Sequence, residues 1–484
     1  MRRIIPEIAG RPRQQDTPAI LPVNGMDAAG WEYSLPAGTA SLLDNWFIGR
    51  NNEVTIRKGW QKVGQCASNI ASTLMPYELN GKSQLLCSSQ GIITDALTGQ
   101  RIFVHGLGSA KASYTHISNH LVVATAGKLF SYNGTTFQEE VWTGGPTATR
   151  ISGVLSHNER CFFWAEDSAD FWHGETGAIR GNMTLFPLSQ LGSISGNIVS
   201  MASWTVDAGH GSNDVLVIMT SKGEVIAYEG IDPSDASDWR LTGRFKLPDV
   251  IPSRRAAFKH GSDLLIQTKS GVISLSSVFR SAELSAVRNF SEPVDALYVD
   301  RAYLGNYGVW VGLQDPHGKM LILNQESSDG EIHQYVKCLE AGVWVRFTGI
   351  GAVDWATFDG KMYFVTKGGT IGEFWTGEKD YLSSITAFAA LGGMSREQEA
   401  SVSMVHNLFS CDRQIMIEAN IINGQDDTMS MSTAIIPASP SALNNLPING
   451  RGDTLQLTIT IDNGEGAVKW RKCSVRMKQA RARL

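Results

Sequence analysis

The chain has 484 residues, 42% of them hydrophobic and only 18% charged, against ~25% charged in an ordinary soluble domain. That composition excludes a long charged coiled coil and extensive disorder, and forty-nine glycines fit a chain built of many turns. The formal net charge of −5 hides a partition: residues 469–484 hold seven basic residues and no acid, residues 1–13 hold four basic and one acidic, and residues 14–468 carry a net of −15. An acidic body argues against a dedicated nucleic-acid-binding surface, which needs clustered bases to displace counterions. Basic ends suit docking on something acidic, such as a neighbouring subunit.

The N-terminal run MRRIIPEIAG begins like a signal peptide, but its apolar stretch stops at Pro6 and Glu7 and no h-region forms. No run approaches the ~18 apolar residues of a membrane span. The expectation is a chain made in a cytoplasm, without classical export or membrane insertion. Its six cysteines, Cys66, Cys87, Cys161, Cys338, Cys411 and Cys473, show no CxxC pair or metal-ligand spacing. Buried free thiols are expected, and a disulfide framework is not.

Residues 1–40 are rich in Pro, Gly and polar residues and read as an extended arm. Residues 42–63, LLDNWFIGRNNEVTIRKGWQKV, are strand-like, with alternating Val54, Ile56, Trp60 and Val63 around a turn expected at Lys58-Gly59. From about residue 64 to 377 one grammar repeats. An apolar β-branched run meets a Gly turn, and an alternating run ending in an aromatic follows. DVLVIMTSKGEVIAYEG (214–230) is the clearest case, and LVVATAGKLFSYNG (121–134), DLLIQTKSGVISLSS (263–277) and GKMYFVTKGGTIGEFWTG (360–377) repeat it. Gly91, Gly127, Gly223, Gly271 and Gly369 mark tight turns, where positive φ is cheap for glycine. Recurrent hairpins tens of residues apart predict a β-propeller of six or seven blades over residues 41–377. The WD order is absent, since Asp238-Trp239 and Asp354-Trp355 run in reverse.

Residues 281–300, with Leu284, Val287, Val294 and Leu297 at helical spacing and Pro293 as a break, read as a helical insertion between blades. After residue 378 the grammar changes. SREQEASVSMVHNLF (395–409) fits a short helix or a polar strand. RQIMIEANII, STAIIPA, DTLQLTITID and KWRKCSVRMKQ alternate at period two. Residues 378–484 are therefore expected to form a smaller, sandwich-like β domain with a basic tail. The fold class is mainly β.

Candidate chemistry is sparse. His116 and His120 lack an HExxH context and read as turn or surface histidines rather than a zinc site. Glu166, Asp167, Asp170, His173 and Glu175 offer carboxylates for glycoside chemistry, but the setting reads as a polar hairpin loop. DAGHGSND (207–214) resembles an oxygen-ligand loop for calcium, and Asx turns explain it as well. Arg451-Gly452-Asp453 reads as a turn. No nucleophile elbow, P-loop or dinucleotide fingerprint is present. The chain is read as a non-enzyme without cofactor, and no catalytic, cofactor or metal residue is assigned.

Two stretches carry a family likeness. DNWFIGRNNEVTIRKGW (44–60) and SWTVDAGHGSNDVLVIMTSKGEVIAYEGIDPSDASDWRLTGRFKL (203–247) resemble the tail proteins of short-tailed bacteriophages, known as tail hub, nozzle or packaged-DNA stabilisation proteins. The likeness spans about residues 40–380 and rests on scaffold motifs. It implies a homo-hexameric ring below the portal and head-to-tail adaptor, surrounding the DNA exit channel. Such a ring retains packaged viral DNA without sequence-specific binding and anchors tail fibres or a needle. It implies a virion location after assembly in the host bacterial cytoplasm. On that reading Arg2, Arg3, Arg11 and Arg13 at one end, and Arg471, Lys472, Arg476, Lys478, Arg481 and Arg483 at the other, are candidates for the assembly interface. Two alternatives stand beside it. A glycan-degrading tail enzyme would use Glu166 and Asp170. A binding module recruiting receptor-binding fibres would expose aromatics such as Trp172 or Trp375.

Overall fold

A computed structural model describes the chain except residues 1–14, 18–20, 31–34, 69, 80, 107–110, 147–149, 208–211, 282–286, 301–308, 328, 393, 412, 424–427, 462–465 and 480–484. The chain forms two compact units. One comprises Met1–Arg57, Glu340–Arg346 and Leu382–Leu484; the other comprises Lys58–Leu339 and Phe347–Tyr381.

The second unit is a β-propeller, and seven successive antiparallel blades are seen among its described residues. Each begins with an innermost strand: Ala71–Leu79, Ser113–Ile117, Ile151–His157, Ile198–Asp207, Ala257–His260, Val311–Gln314 and Ala352–Phe358. The seventh innermost strand packs on the first, which closes the ring. The last blade is completed by the earliest strand of the unit. Trp60–Gln65 pairs antiparallel with Thr370–Phe374. Lys58-Gly59 is therefore not a hairpin turn. Val54–Ile56 pairs with Trp46–Ile48, outside the propeller, and the chain passes Gly59 on its way into the last blade. Gly59 is required there, because a Cβ would lie 1.7 Å from the Lys379 carbonyl oxygen.

The repeated apolar runs have a simple cause. A central strand of a blade is covered on both faces by neighbouring blades, so both parities of its residues are apolar. In Ser212–Thr220, Leu216 and Ile218 join the core shared with the third blade. Val215, Val217 and Met219 join the core shared with the fifth. In His120–Thr125, Leu121 and Val123 pack towards the first blade, Val122 and Ala124 towards the third. The five turn glycines all adopt positive φ, between 76° and 132°.

Two sequence expectations need correction here. Residues 282–286, including Leu284, lie outside the described residues. Beyond them, Pro293 sits in a 3-10 turn, Glu292–Val294, that leads into a helix, Asp295–Asp300. A further helix, Leu275–Arg280, starts inside the run read as strand, capped by the Ser274 side chain on the Ser277 N–H. The cysteines also differ from expectation. Cys161, Cys338, Cys411 and Cys473 are buried free thiols, but Cys66 and Cys87 form a disulfide. Cys66 follows the closing strand and Cys87 lies in the first blade, so ring closure brings them together.

In the first unit, Met394–Cys411 is a strand, not a helix, and pairs with Ser439–Ile461 on one side and Val468–Gln479 on the other. Ile415–Asn423 runs along residues 454–461. Ile415, Ile417, Ala419 and Ile421 are buried together with Leu455, Leu457, Ile459 and Ile461. Trp46 and Phe409 pack on Trp470 at 5.7 and 5.4 Å. Arg451-Gly452-Asp453 is not a turn. It lies within Ser439–Ile461, with Gly452 opposite Ala400 and so close to the Ile422 carbonyl oxygen that a Cβ would lie 2.4 Å from it.

Candidate functional site

The densest polar cluster lies at the inner strands of the propeller, and the sequence did not reveal it. Asp354, buried in the seventh blade, accepts a hydrogen bond from the Leu74 N–H of the first blade at 2.7 Å. It also pairs with the Arg255 guanidinium beside the fifth blade. Arg255 donates to the Trp355 carbonyl at 3.2 Å and lies 5.6 Å over the Tyr114 ring of the second blade. Lys111, just ahead of the second blade, donates to the Val353 carbonyl at 2.9 Å. Arg254 donates to the Lys111 carbonyl at 3.4 Å and pairs with Glu166 beyond the third blade at 3.1 Å.

Five blades are thus joined through one charged cluster. Burial pushes the Lys111 ammonium down to about 8, against the pull of Asp354 and Glu326. Burial raises the Tyr114 phenol, which Arg255 opposes. A depressed lysine is the kind of group that serves as base or nucleophile, but this one is held on a backbone carbonyl among compensating charges. Its geometry is that of a brace.

The carboxylates proposed for glycoside chemistry are engaged separately. Glu166 holds Arg254, and Asp167 pairs with Arg150 at 3.2 Å. Asp170 accepts from the Ser189 N–H at 2.7 Å, and Glu175 lies 3.8 Å from Arg160. Burial lowers the pKa of His173, whose Nε2 is 3.3 Å from the Ser234 hydroxyl. His116 Nε2 meets the Pro76 carbonyl at 2.9 Å, and His120 Nδ1 meets the Ser118 carbonyl at 2.8 Å. Among the described residues no group of three potential metal ligands converges. The tip of the 207–214 loop, residues 208–211, lies outside the described residues, and the strands flanking it pair from Asp207 and Ser212 onward. Trp172 and Trp375 are half-buried rather than exposed. Trp375 stacks on Phe347 at 6.4 Å.

The side chains of the two family-like stretches act as structural ties. Asp44 takes both arms of the Arg346 guanidinium, at 2.6 and 2.7 Å. Asn45, at φ 60°, donates to the Thr386 carbonyl at 2.7 Å and accepts from the buried Arg57 at 2.8 Å. Trp60 stacks on Tyr381 at 5.6 Å. In the second stretch, Trp204 donates to the Ser262 carbonyl of the next blade at 3.0 Å. Asp232 binds Arg160 of the preceding blade at 3.0 Å. Asp238 accepts the Ile231 and Asp232 N–H groups, which holds its carboxyl below the usual range. Trp239 stacks on Tyr228 at 5.4 Å.

Of the basic residues at the ends, Arg471 and Lys472 are exposed on Val468–Gln479, and Arg476 is half-buried with its backbone opposite Asp16. Lys478 lies on the same strand, and its side chain is outside the described set. Arg2, Arg3, Arg11, Arg13, Arg481 and Arg483 also fall outside the described residues. A cleft of about 290 Å³ lies between the second and third blades, over Leu129, Trp142 and Met183. Its charged rim is self-paired: Lys128 with Glu139 at 2.8 Å, and Arg180 with Glu140 at 3.2 Å.

The fold therefore defines a β-propeller with a second β unit. No family model matches the chain, and no curated protein matches it. Among solved structures it is similar to the exo-beta-1,3-galactanase of Phanerochaete chrysosporium, at 11% identity and TM-score 0.28, covering 81% of this chain and 100% of that one. It is also similar to YCF48 from Cyanidioschyzon merolae, at 11% identity and TM-score 0.39, covering 65% and 98%. Sqt1 of Saccharomyces cerevisiae is similar at 8% identity and TM-score 0.41, covering 83% and 100%.

Proposed function

We propose that this chain is a structural subunit of a short-tailed phage tail, a hub or nozzle protein. Six copies would form a ring below the portal and adaptor, line the DNA exit channel, retain packaged DNA and anchor fibres or a needle. The observation that carries the reading is the use of the family-like residues. Asp44, Asn45, Trp60, Trp204, Asp232 and Trp239 all serve to hold strands and blades together. A family marked by such residues is marked by a scaffold, as a conduit wall requires.

Charge supports the same reading. A body of net −15 over residues 14–468 repels a sliding polyanion rather than binding it. The protein works in the virion, without cofactor or catalysis.

The test is composition. Particles purified from infected cells should contain this chain at six copies per particle, below the portal in averaged electron micrographs. Recovery of the chain only outside particles sinks the reading. So does cleavage of host-surface glycan by the purified protein that is lost in Glu166→Gln.

A further inference from the structure

The loop of residues 230–239, between the strands Glu224–Glu229 and Arg240–Lys246, belongs to the fourth blade but is held by the third. It is knit internally. Asp238 accepts the Ile231 and Asp232 N–H groups, and Asp235 accepts the Ser237 N–H and hydroxyl. Among the described residues its outward polar ties run to three side chains of the third blade. Asn158 Nδ2 donates to the Gly230 carbonyl at 2.9 Å, Arg160 pairs with Asp232 at 3.0 Å, and His173 Nε2 is 3.3 Å from the Ser234 hydroxyl. Trp239 ends the loop, stacked on Tyr228 at 5.4 Å and on Phe162 of the third blade at 6.0 Å.

One of these ties leans on a histidine whose proton state its neighbours fix. Asn158 Nδ2 faces a carbonyl oxygen, which identifies it as the amide nitrogen, and the same atom lies 3.3 Å from His157 Nε2. A ring nitrogen that faces an amide N–H is the acceptor. His157, only 2% exposed, is therefore neutral and carries its proton on Nδ1, which donates to the Ser203 hydroxyl of the fourth blade at 2.9 Å. A second proton would set an N–H against the Asn158 N–H, and Asn158 would have to leave. His116 makes the contrast. Its Nε2 donates to the Pro76 carbonyl, and a second proton, on Nδ1, leaves that bond in place.

We propose that the seam between the third and fourth blades carries an acid-operated latch: a proton on His157 expels Asn158, frees the Gly230 carbonyl and lets the loop of residues 230–239 swing off the third blade. Burial pushes the His157 imidazole down to about 4, with Asp214 of the fourth blade opposing and Lys259 of the fifth adding to the push. Burial lowers His173 too, against the Gly174 backbone, Asp232 and Glu175 and together with Arg160. Phe162 touches both imidazoles, at 5.7 and 6.3 Å. With the loop open, both meet water and return towards 6.5. Below that pH the open form takes up a proton that the closed form refuses. The closed form therefore loses about tenfold per pH unit through His157 alone, from 6.5 down to about 4, and loses nothing above 6.5. The seams on either side are tied by groups that do not titrate in this range. Trp204 donates to the Ser262 carbonyl, and Ser113 donates to the Val154 carbonyl. The latch is a property of the single chain and does not depend on the tail reading.

Hydrogen exchange of the full-length chain, followed from about pH 7.5 to about 4.5, tests it. It is read as protection factors, so that the intrinsic pH dependence of exchange drops out. Protection across residues 230–239 should fall at least about tenfold over that range, while His120–Thr125 and Lys361–Thr366, in the second and seventh blades, keep theirs. His157→Gln presents a neutral acceptor to Asn158 and takes up no proton, so it should hold the loop closed at the acid end. Asn158→Gly suits the φ of 46° at that position and removes the tie, so its loop should exchange fast even at the neutral end. Protection of the loop that stays flat with pH would overturn the proposal, as would all blades losing protection together. So would a His157→Gln chain that opens in acid like the wild type, or an Asn158→Gly loop as protected as the wild-type one.

Discussion

Asp354 is the residue on which the centre of the propeller depends most. It satisfies a backbone N–H of the first blade and a guanidinium beside the fifth. Replacing it by Ala leaves the half-buried Arg255 guanidinium without its carboxylate and the buried Leu74 N–H without its acceptor, which costs about 1–3 kcal/mol. Urea denaturation of Asp354→Ala should show that loss, and a loss under ~1 kcal/mol would mean the pair is solvated. Lys111 makes a different prediction. Burial lowers its folded pKa to about 8 from 10.5, so between those values the unfolded chain binds the extra proton. Stability from this group therefore rises with pH across that window and is reduced below it, by up to about 3 kcal/mol. Lys111→Met should be more stable than the wild type near pH 7, and the gap should shrink towards pH 10.5. A gap constant with pH would assign the effect to packing instead.

At the scale of elements, the ring is closed by Trp60–Gln65 on Thr370–Phe374, and the Cys66–Cys87 disulfide fastens the end of that strand to the first blade. A crosslink spanning 21 residues removes roughly 3 kcal/mol of unfolded-chain entropy. A reducing agent should lower the wild-type melting temperature by several degrees, and Cys66→Ser with Cys87→Ser should melt at the reduced value whatever the redox buffer. Melting indifferent to reductant would show that the bridge does not form in solution.

The blades were legible in the sequence because each central strand is covered on both faces, which writes an apolar run bounded by a turn glycine. The disulfide was not legible, since its cysteines meet only through closure of the ring. The cluster of Lys111, Arg255 and Asp354 was hidden for the same reason, its members lying about a hundred or more residues apart in the chain. Arg451-Gly452-Asp453 was misread because a tripeptide was judged without its flanks. The glycine there relieves close contact inside a long strand.

At the scale of the whole molecule, the separation of charge is the property most open to measurement. Residues 14–468 carry −15 and the two ends carry the excess of base. If the basic ends are neutralised in subunit contacts, a closed ring presents mainly acid to whatever passes through it. Binding of DNA to such a ring releases few counterions, so its affinity should be weak and nearly flat with salt, in place of the steep fall of a phosphate-binding protein. The isolated chain differs, because Arg471 and Lys472 are exposed on it and can touch phosphate. It should bind duplex DNA weakly at low salt, with a slope set by those few bases, and lose that binding on assembly. Titrating one labelled duplex against the chain and against the assembled ring, at several salt concentrations, separates the two states. A ring that binds DNA more tightly than the chain, with a steeper salt slope, would mean that assembly gathers its bases around the channel, and the protein would then grip DNA rather than let it slide.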